Sequence, residues 1–297
     1  MKSNLSGEQH YYYHSGLIIA SESAIDEWGQ FEGPQHTEKH DISIHFSGEG
    51  LNDQVGDYRH EVPGVGCYVI RGDSEIVVIP ESAADPAQLS LFLTASAWGA
   101  LCYRRGLHVL HGSAVRVRGR VFAFSGHSGA GKSSIAAWLN RRGYKMIGDD
   151  ICRLEIVGDR VVLYPSSRRL KLWDDALQAL GKDSDGLSRV ATKFDKFYLP
   201  TEGNSNVDPV VLDAIYLLEW GDLGLNRLTG GEAALRILRD TTYRSELLDP
   251  KRKNSFIQNS IQIASRVPIY QLSRTRDLTV IDDTIALLER HWSDEFS

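Results

Sequence analysis

The sequence predicts an α/β fold that is built around one strand–loop–helix unit and preceded by a small β-rich module. Residues 126–133 fill every fixed position of the phosphate-binding loop pattern G-x-x-x-x-G-K-[ST]. The apolar run 121–124 before this loop is typical of a buried strand, and residues 134–142 after it have helical apolar spacing. Short strand-like runs separated by turn residues occupy residues 1–80. We therefore predict a β-rich module over residues 1–84 and a larger domain that carries the loop over residues 85–297.

Five runs of β-branched, aromatic and aliphatic residues predict the strands of the N-terminal module: 11–13, 17–19, 42–46, 68–70 and 75–79. Six histidines also lie in this module, but their spacing matches no metal-ligand pattern, so structural or surface roles are favoured. The module carries no recognisable chemistry.

The larger domain mixes helices and strands. We predict helices over 86–105, 134–142, 175–180, 232–238, 242–248, 255–265 and 278–292. We predict strands over 109–115, 121–124, 145–147, 151–156, 161–164, 211–220 and 268–272. A tight turn at Arg118-Gly119-Arg120 makes a hairpin of the two strands that lead into the phosphate loop.

Composition excludes several classes of partner. The 297 residues carry a formal charge of −6, whereas a general nucleic-acid-binding surface needs a basic excess. No window is apolar enough to span a membrane, and the polar N-terminus lacks the apolar core of a signal peptide. Three scattered cysteines fit reduced thiols. We expect a cytoplasmic protein with no nucleic-acid or membrane partner, and homo-oligomerisation is left open.

The phosphate loop predicts nucleotide binding. Its backbone N–H groups and the following helix N-terminus can hold a polyphosphate, Lys132 can reach the outer phosphates, and the Ser133 hydroxyl can help hold Mg²⁺. The alternative is a glycine-rich turn with a chance lysine. The predicted nucleotide-binding residues are Gly126, His127, Ser128, Gly129, Ala130, Gly131, Lys132, Ser133 and Ser134.

Two adjacent carboxylates, Asp149 and Asp150, follow the next predicted strand, and Asp149 is 16 residues beyond Ser133. One such carboxylate can meet Mg²⁺ while its neighbour accepts the proton of an attacking hydroxyl. The alternative is a polar strand end or a helix N-cap. If the hairpin strands pair, His111 lies close to the loop and can hydrogen-bond a carboxylate or phosphate, although a lone strand histidine is more often structural.

These residues resemble a known family. His111-Gly112, the loop 126–133, and Arg142-Gly143-Tyr144 running into Asp149-Asp150 are similar to the catalytic core of the HPr kinase/phosphorylase family. The fold of that family is related to phosphoenolpyruvate carboxykinases. The resemblance therefore implies a mixed-sheet P-loop kinase core and the use of ATP and Mg²⁺.

The resemblance also implies roles for individual residues. Lys132 binds the β- and γ-phosphates, and Ser133 ligates Mg²⁺ together with Asp150. Asp149 acts as the base on a substrate serine hydroxyl, assisted by His111.

The chain departs from this family in two places. His127 stands at a loop position that is usually acidic, and the segment 164–173 replaces the glycine-rich segment tied to phosphorolysis. That segment resembles HPr-kinase-like proteins of peptide biosynthetic clusters, among them kinases of lasso peptide precursors. We therefore expect the substrate to be a serine of a peptide or protein other than HPr. We do not expect phosphorolysis.

Basic residues near these motifs are candidates to neutralise a triphosphate or to bind a carboxylate-bearing substrate. They are Arg168, Arg169, Lys171, Lys193 and Lys196, with Arg244 a weaker candidate. For each of them a solvated surface charge is the alternative. The leading hypothesis is an ATP-dependent serine kinase. The others are a small-molecule kinase acting on free serine and a nucleotide-binding regulatory protein without phosphotransfer.

Overall fold

The computed structural model describes residues 9–33, 39–48, 54–167, 169–192, 194–201 and 207–296. It contains helices and three sheets of mixed or antiparallel strands, so the predicted mixed α/β class is confirmed. No helix in these ranges is long and apolar enough to cross a lipid bilayer.

The N-terminal module forms one sheet with the strand order β1-β2-β3-β6-β5-β4. Its strands are β1 (His10–His14), β2 (Leu17–Ser21), β3 (Ile42–Phe46), β4 (Tyr58–Val62), β5 (Gly66–Arg71) and β6 (Glu75–Pro80). The five predicted strands are confirmed. Strand β4 was missed because its sequence, Tyr-Arg-His-Glu-Val, is polar and only partly buried, so it shows no apolar alternation.

The predicted helix 86–105 is confirmed with an interruption. It consists of α1 (Pro86–Phe92), a π-helical turn (Leu93–Ala97) and α2 (Trp98–Arg104). Trp98 is buried, and its ring centroid lies 5.0 Å from that of Trp28 in the N-terminal module. The helical segment thus shares a hydrophobic core with the N-terminal sheet, and the domain boundary after residue 84 stays a prediction.

The remaining described elements follow in chain order. The strands are β7 (His108–Val117), β8 (Arg120–Ser125), β9 (Lys145–Gly148), β10 (Ile151–Val157), β11 (Arg160–Leu163), β12 (Arg169–Trp173), β13 (Arg189–Ala191), β14 (Phe194–Pro200), β15 (Val210–Val211), β16 (Ala214–Trp220), β17 (Gly224–Leu228) and β18 (Ile269–Arg274). The helices are α3 (Lys132–Arg141), α4 (Asp174–Ala179), α5 (Gly230–Thr241), α6 (Lys253–Arg266) and α7 (Ile281–Glu295).

The central sheet has the order β15-β11-β10-β7-β8-β16-β18-β17, with β9 also paired to β7. Strands β8, β16 and β18 run parallel to one another, and the flanking pairs are antiparallel. Helices α3 and α7 pack on one face, and α5 and α6 pack on the other. Strands β12, β14 and β13 form a small separate sheet. The carboxyl ends of the three parallel strands therefore meet at one edge, where α3 begins.

Two predicted elements differ from the structure. The predicted helix 242–248 is only a 3₁₀ turn at Ser245–Leu247, because Arg244 adopts the left-handed conformation with φ 45° and cannot continue an α-helix. The predicted strand 211–220 is two strands, β15 and β16. They separate at Asp213, whose carboxylate accepts the N–H of Val121 at 2.7 Å.

A buried histidine makes the fold sensitive to acid. The His108 ring stacks on Phe256 with centroids 4.7 Å apart, and neither ring nitrogen has a hydrogen-bond partner in the described part of the chain. Burial lowers the pKa of His108 from 6.5 to about 4. Between these two pKa values the unfolded chain binds more protons, so the free energy of unfolding falls as the pH falls.

We expect His108→Phe to remove this component of the acid sensitivity. On going from pH 7.5 to pH 5, the wild-type protein should lose about 2 kcal/mol more unfolding free energy than the variant. Urea denaturation at both pH values measures the difference. Equal losses in the two proteins would show that His108 is not held neutral by burial.

Candidate active site

A cleft of about 760 Å³ opens at the carboxyl-end edge of the parallel strands. The phosphate loop and α3 form its floor. Strands β12 and β14 form one side, and the π-helical turn and Tyr243 form another. In α/β sheets with parallel strands, ligands bind beyond the carboxyl ends of those strands. The location alone makes this cleft the candidate site.

The predicted strand–loop–helix unit is confirmed. Gly126, Gly129 and Gly131 have φ values of 148°, 82° and 86°, a region that favours glycine. A Cβ at Gly126 would also lie 2.9 Å from the carbonyl oxygen of Leu218 on β16. The loop therefore requires its glycines both for conformation and for close packing on the neighbouring strand.

Lys132 is folded back onto the loop. Its ammonium group donates to the carbonyl oxygens of Gly126 at 3.0 Å and His127 at 3.2 Å. Burial lowers the pKa of Lys132 to about 8, although the nearby carboxylates of Asp150 and Asp149 act in the other direction. The ammonium thus lies within the loop, where a phosphate group would be its natural partner.

Asp149 is buried against the start of α3. Its carboxylate accepts hydrogen bonds from the hydroxyls of Ser113 at 2.6 Å and Ser133 at 3.1 Å. Burial and the neighbouring charge of Asp150 raise its pKa. A hydroxyl and a carboxylate at this distance fit one side of a magnesium site, in which phosphate oxygens and water supply the other ligands. Within the described ranges, no cluster of three or more His, Cys, Asp or Glu side chains suits a metal ion.

Asp150 lies between Lys171 and His111. Its backbone is left-handed, with φ 72°, and its carboxylate accepts a hydrogen bond of 2.7 Å from the Lys171 ammonium. The Nε2 atom of His111 lies 3.7 Å from the other carboxylate oxygen. Burial would raise the pKa of Asp150, but the charge of Lys171 holds it well below its usual range.

His111 lies near the loop, as the hairpin predicted. The Ser125 hydroxyl donates to its backbone carbonyl at 2.6 Å, and its ring contacts Tyr243 edge-on at 5.1 Å between centroids. Burial, and then the charge of Lys132, lower the pKa of His111 to about 4. The imidazole is therefore neutral at neutral pH.

The pairing within the site differs from the expectation. The resemblance implies that His111 assists Asp149 and that Ser133 shares the metal with Asp150, but the structure pairs Ser133 with Asp149 and His111 with Asp150. The left-handed backbone at Asp150 redirects its side chain, and the sequence pattern does not report that angle. The catalytic and metal-binding roles stay predictions.

The predicted basic residues divide into three groups. Lys171 and Lys196 line the cleft, and so does Arg244, whose guanidinium donates to the Ser96 hydroxyl at 2.9 Å. Arg169 does not line the cleft and instead lies over the Tyr198 ring. Arg168 and Lys193 lie outside the described residues.

Sequence reasoning missed three residues of the site. Ser113 could have been found, because it is two positions after His111 on the same strand and so shares its face. Trp220 and Arg274 are the last residues of β16 and β18 and line the cleft beside the loop. Only the parallel order of these strands, which has no local sequence signal, brings them there.

Comparisons with known proteins add little. No family model matches the chain, and no curated protein is similar to it. Among solved structures, the chain is similar to the Hpr(Ser) kinase/phosphatase from Coxiella burnetii, with 7% sequence identity and a TM-score of 0.33. The match covers 63% of this chain and 99% of that chain. A likeness this weak assigns no fold family to the chain.

The Lys171–Asp150 ion pair is largely buried, so removing one partner alone should destabilise the protein more than removing both. We expect Lys171→Met to lower the free energy of unfolding by about 3 kcal/mol, because it leaves the Asp150 carboxylate without its cation. The double variant Lys171→Met/Asp150→Asn should recover most of this loss. Urea denaturation at pH 7 measures both. A single variant as stable as the wild type would contradict the pairing.

Proposed function

We propose that this protein is an ATP-dependent kinase that transfers the γ-phosphate to a serine hydroxyl. One observation carries the proposal: two adjacent carboxylates and a phosphate-binding loop face a single cleft. Ser133 on the loop helix contacts Asp149 at 3.1 Å, and the carboxylate of the next residue, Asp150, points toward His111. A site that only binds a nucleotide needs no second carboxylate beside the one that holds the metal ion.

The loop side of the cleft suits the phosphate donor, ATP. Loop N–H groups and Lys132 would bind the β- and γ-phosphates and stabilise the charge that spreads over the transferred phosphoryl group. Ser133 and Asp149 would hold a magnesium ion, which neutralises phosphate charge when it is bound. Asp149 suits this role because it is buried against α3, and a nearby cation would offset its raised pKa.

The acceptor side suits proton transfer from a hydroxyl. The serine oxygen would form a bond to the γ-phosphorus while the bond from phosphorus to the β–γ bridging oxygen breaks, and ADP leaves. The hydroxyl would donate a hydrogen bond to the Asp150 carboxylate, which its low pKa keeps ionised. Because a low pKa also makes Asp150 a weak base, the proton would pass to it only as the bond to phosphorus forms and the hydroxyl becomes acidic. Neutral His111 would orient this carboxylate. This assignment exchanges the roles of the two aspartates relative to the family resemblance.

The substrate is proposed to be a peptide or protein, such as a ribosomal precursor peptide of the lasso type. We assign the acceptor to the part of the cleft lined by apolar and aromatic side chains, with the Ser96 hydroxyl and one guanidinium among them: Leu91, Phe92, Ala95, Ser96, Tyr243 and Arg244. Apolar side chains that flank a serine can pack on this part of the cleft. Free serine has no apolar group to pack on it.

The transfer reaction tests the proposal. Incubation with γ-labelled ATP, Mg²⁺ and a panel of serine peptides should give phosphopeptides by mass spectrometry, whereas matched peptides with serine replaced by alanine should give none. Free serine, tested in parallel, should give much less product. Nucleotide binding without any phosphorylated product would favour the regulatory alternative.

Substitution of each of the two aspartates should change a different step of the same assay. Asp150→Asn should slow transfer roughly 10²–10⁴-fold and leave the affinity for MgATP within about threefold, because it removes the proton acceptor. Asp149→Asn should weaken MgATP binding and raise the Mg²⁺ concentration needed for half-maximal rate. Asp159→Asn, in the exposed turn between β10 and β11, is the charge-matched control. The reverse pattern would restore the roles implied by the resemblance.

A further inference from the structure

A buried arginine lies against the phosphate loop. Arg274 ends β18 and is in register with Trp220, the last residue of the parallel neighbour β16. Its guanidinium covers the Trp220 ring at 4.5 Å and donates to the backbone carbonyl of Ala130 at 3.3 Å. A Cβ at Gly131 would lie 1.9 Å from its Nη2 atom. The guanidinium therefore occupies the space directly beside the last glycine of the loop.

The charge of Arg274 has no anionic partner within the described ranges. The residue is 2% exposed, its Nε has no hydrogen-bond partner, and its Nη atoms reach only backbone carbonyls. Burial lowers its pKa to about 10, and no acidic group offsets this effect. A buried charge without a counter-charge is costly, so proteins normally pair it.

Arg236 illustrates the normal arrangement in the same protein. It is also buried, but its guanidinium bonds the carboxylates of Asp240 and Glu219 and the amide oxygen of Gln271. The fold thus neutralises one buried arginine completely and leaves the other, beside the loop, with neutral acceptors only.

The position of Arg274 adds to an excess of positive charge at the phosphate loop. The N-terminus of α3 begins at Lys132 and carries a partial positive charge, and the Lys132 ammonium lies in the same loop. Three sources of positive charge therefore converge on one cradle. An anion bound there would relieve all three at once, and the cleft gives it access, because Arg274 is among the residues that line it.

We propose that Arg274 is a phosphate-binding residue that supplies fixed positive charge for the phosphate chain of a nucleoside di- or triphosphate. This inference rests on the nucleotide-binding half of the proposed function and is independent of phosphoryl transfer. The competing interpretation is a structural one, in which Arg274 only braces the loop and covers Trp220. The two interpretations predict different effects of removing the guanidinium on the melting temperature of the unliganded protein.

Isothermal titration calorimetry with MgATP, MgADP and adenosine, together with thermal unfolding without ligand, tests the proposal. Arg274→Met should weaken MgATP and MgADP binding by roughly tenfold or more, since hydrogen bonds to charged groups are being lost. Adenosine affinity should change less than about twofold, and the unliganded melting temperature should stay equal or rise. Arg274→Lys, which keeps the charge, should recover most of the phosphate affinity.

Arg227→Met is the matched control, because Arg227 covers the Tyr270 ring on the adjacent strand pair but lies outside the cleft. It should leave nucleotide affinity unchanged. The proposal is overturned if Arg274→Met lowers the unliganded melting temperature and keeps MgADP affinity, if it weakens adenosine equally, or if the wild type binds no MgADP. A wild type that binds MgATP but phosphorylates nothing would refute the kinase proposal and leave this inference standing.

Discussion

The left-handed backbone at Asp150 is the constraint on which the geometry of the site depends. In an extended strand, consecutive side chains point to opposite faces, so two adjacent aspartates would not share a cavity. The φ of 72° at Asp150 breaks this alternation between β9 and β10, and both carboxylates line the cleft. A non-glycine residue in this region costs on the order of 1 kcal/mol or more. The Lys171 ion pair and the hydrogen bonds to Asp149 offset that cost.

The electrostatic balance of the cleft explains why an anionic ligand suits it. Among the buried and half-buried groups that line the cleft, the carboxylates of Asp149 and Asp150 face four cations: Lys132, Lys171, Lys196 and Arg274. Lys171 is matched to Asp150, and the Asp149 carboxylate is held mainly by neutral donors. Burial lowers the pKa values of Lys132, Lys196 and Arg274, as expected for cations that the protein alone does not fully compensate. A polyphosphate would supply the missing negative charge.

Local signals predicted the parts of this site that lie close together in the chain. The glycine loop, strand β8, helix α3 and the aspartate pair each have a short-range pattern, and the structure contains all four. The partners of the two aspartates could not be predicted, because they depend on one backbone angle. Arg274 lies 144 residues from Ala130 and reaches it only through the parallel order of β8, β16 and β18. The helix predicted over 242–248 was wrong for a similar reason, since Arg244 is left-handed in a segment with good helical spacing.

The position of a bound divalent cation tests the central claim most directly. A crystal structure with Mn²⁺ and a non-hydrolysable ATP analogue would locate the metal by its anomalous scattering. Manganese should bind the Ser133 hydroxyl, next to the carboxylate of Asp149, with Asp150 turned toward the γ-phosphate and away from the metal. Manganese bound elsewhere, or an Asp150 carboxylate directed out of the cleft, would contradict this claim.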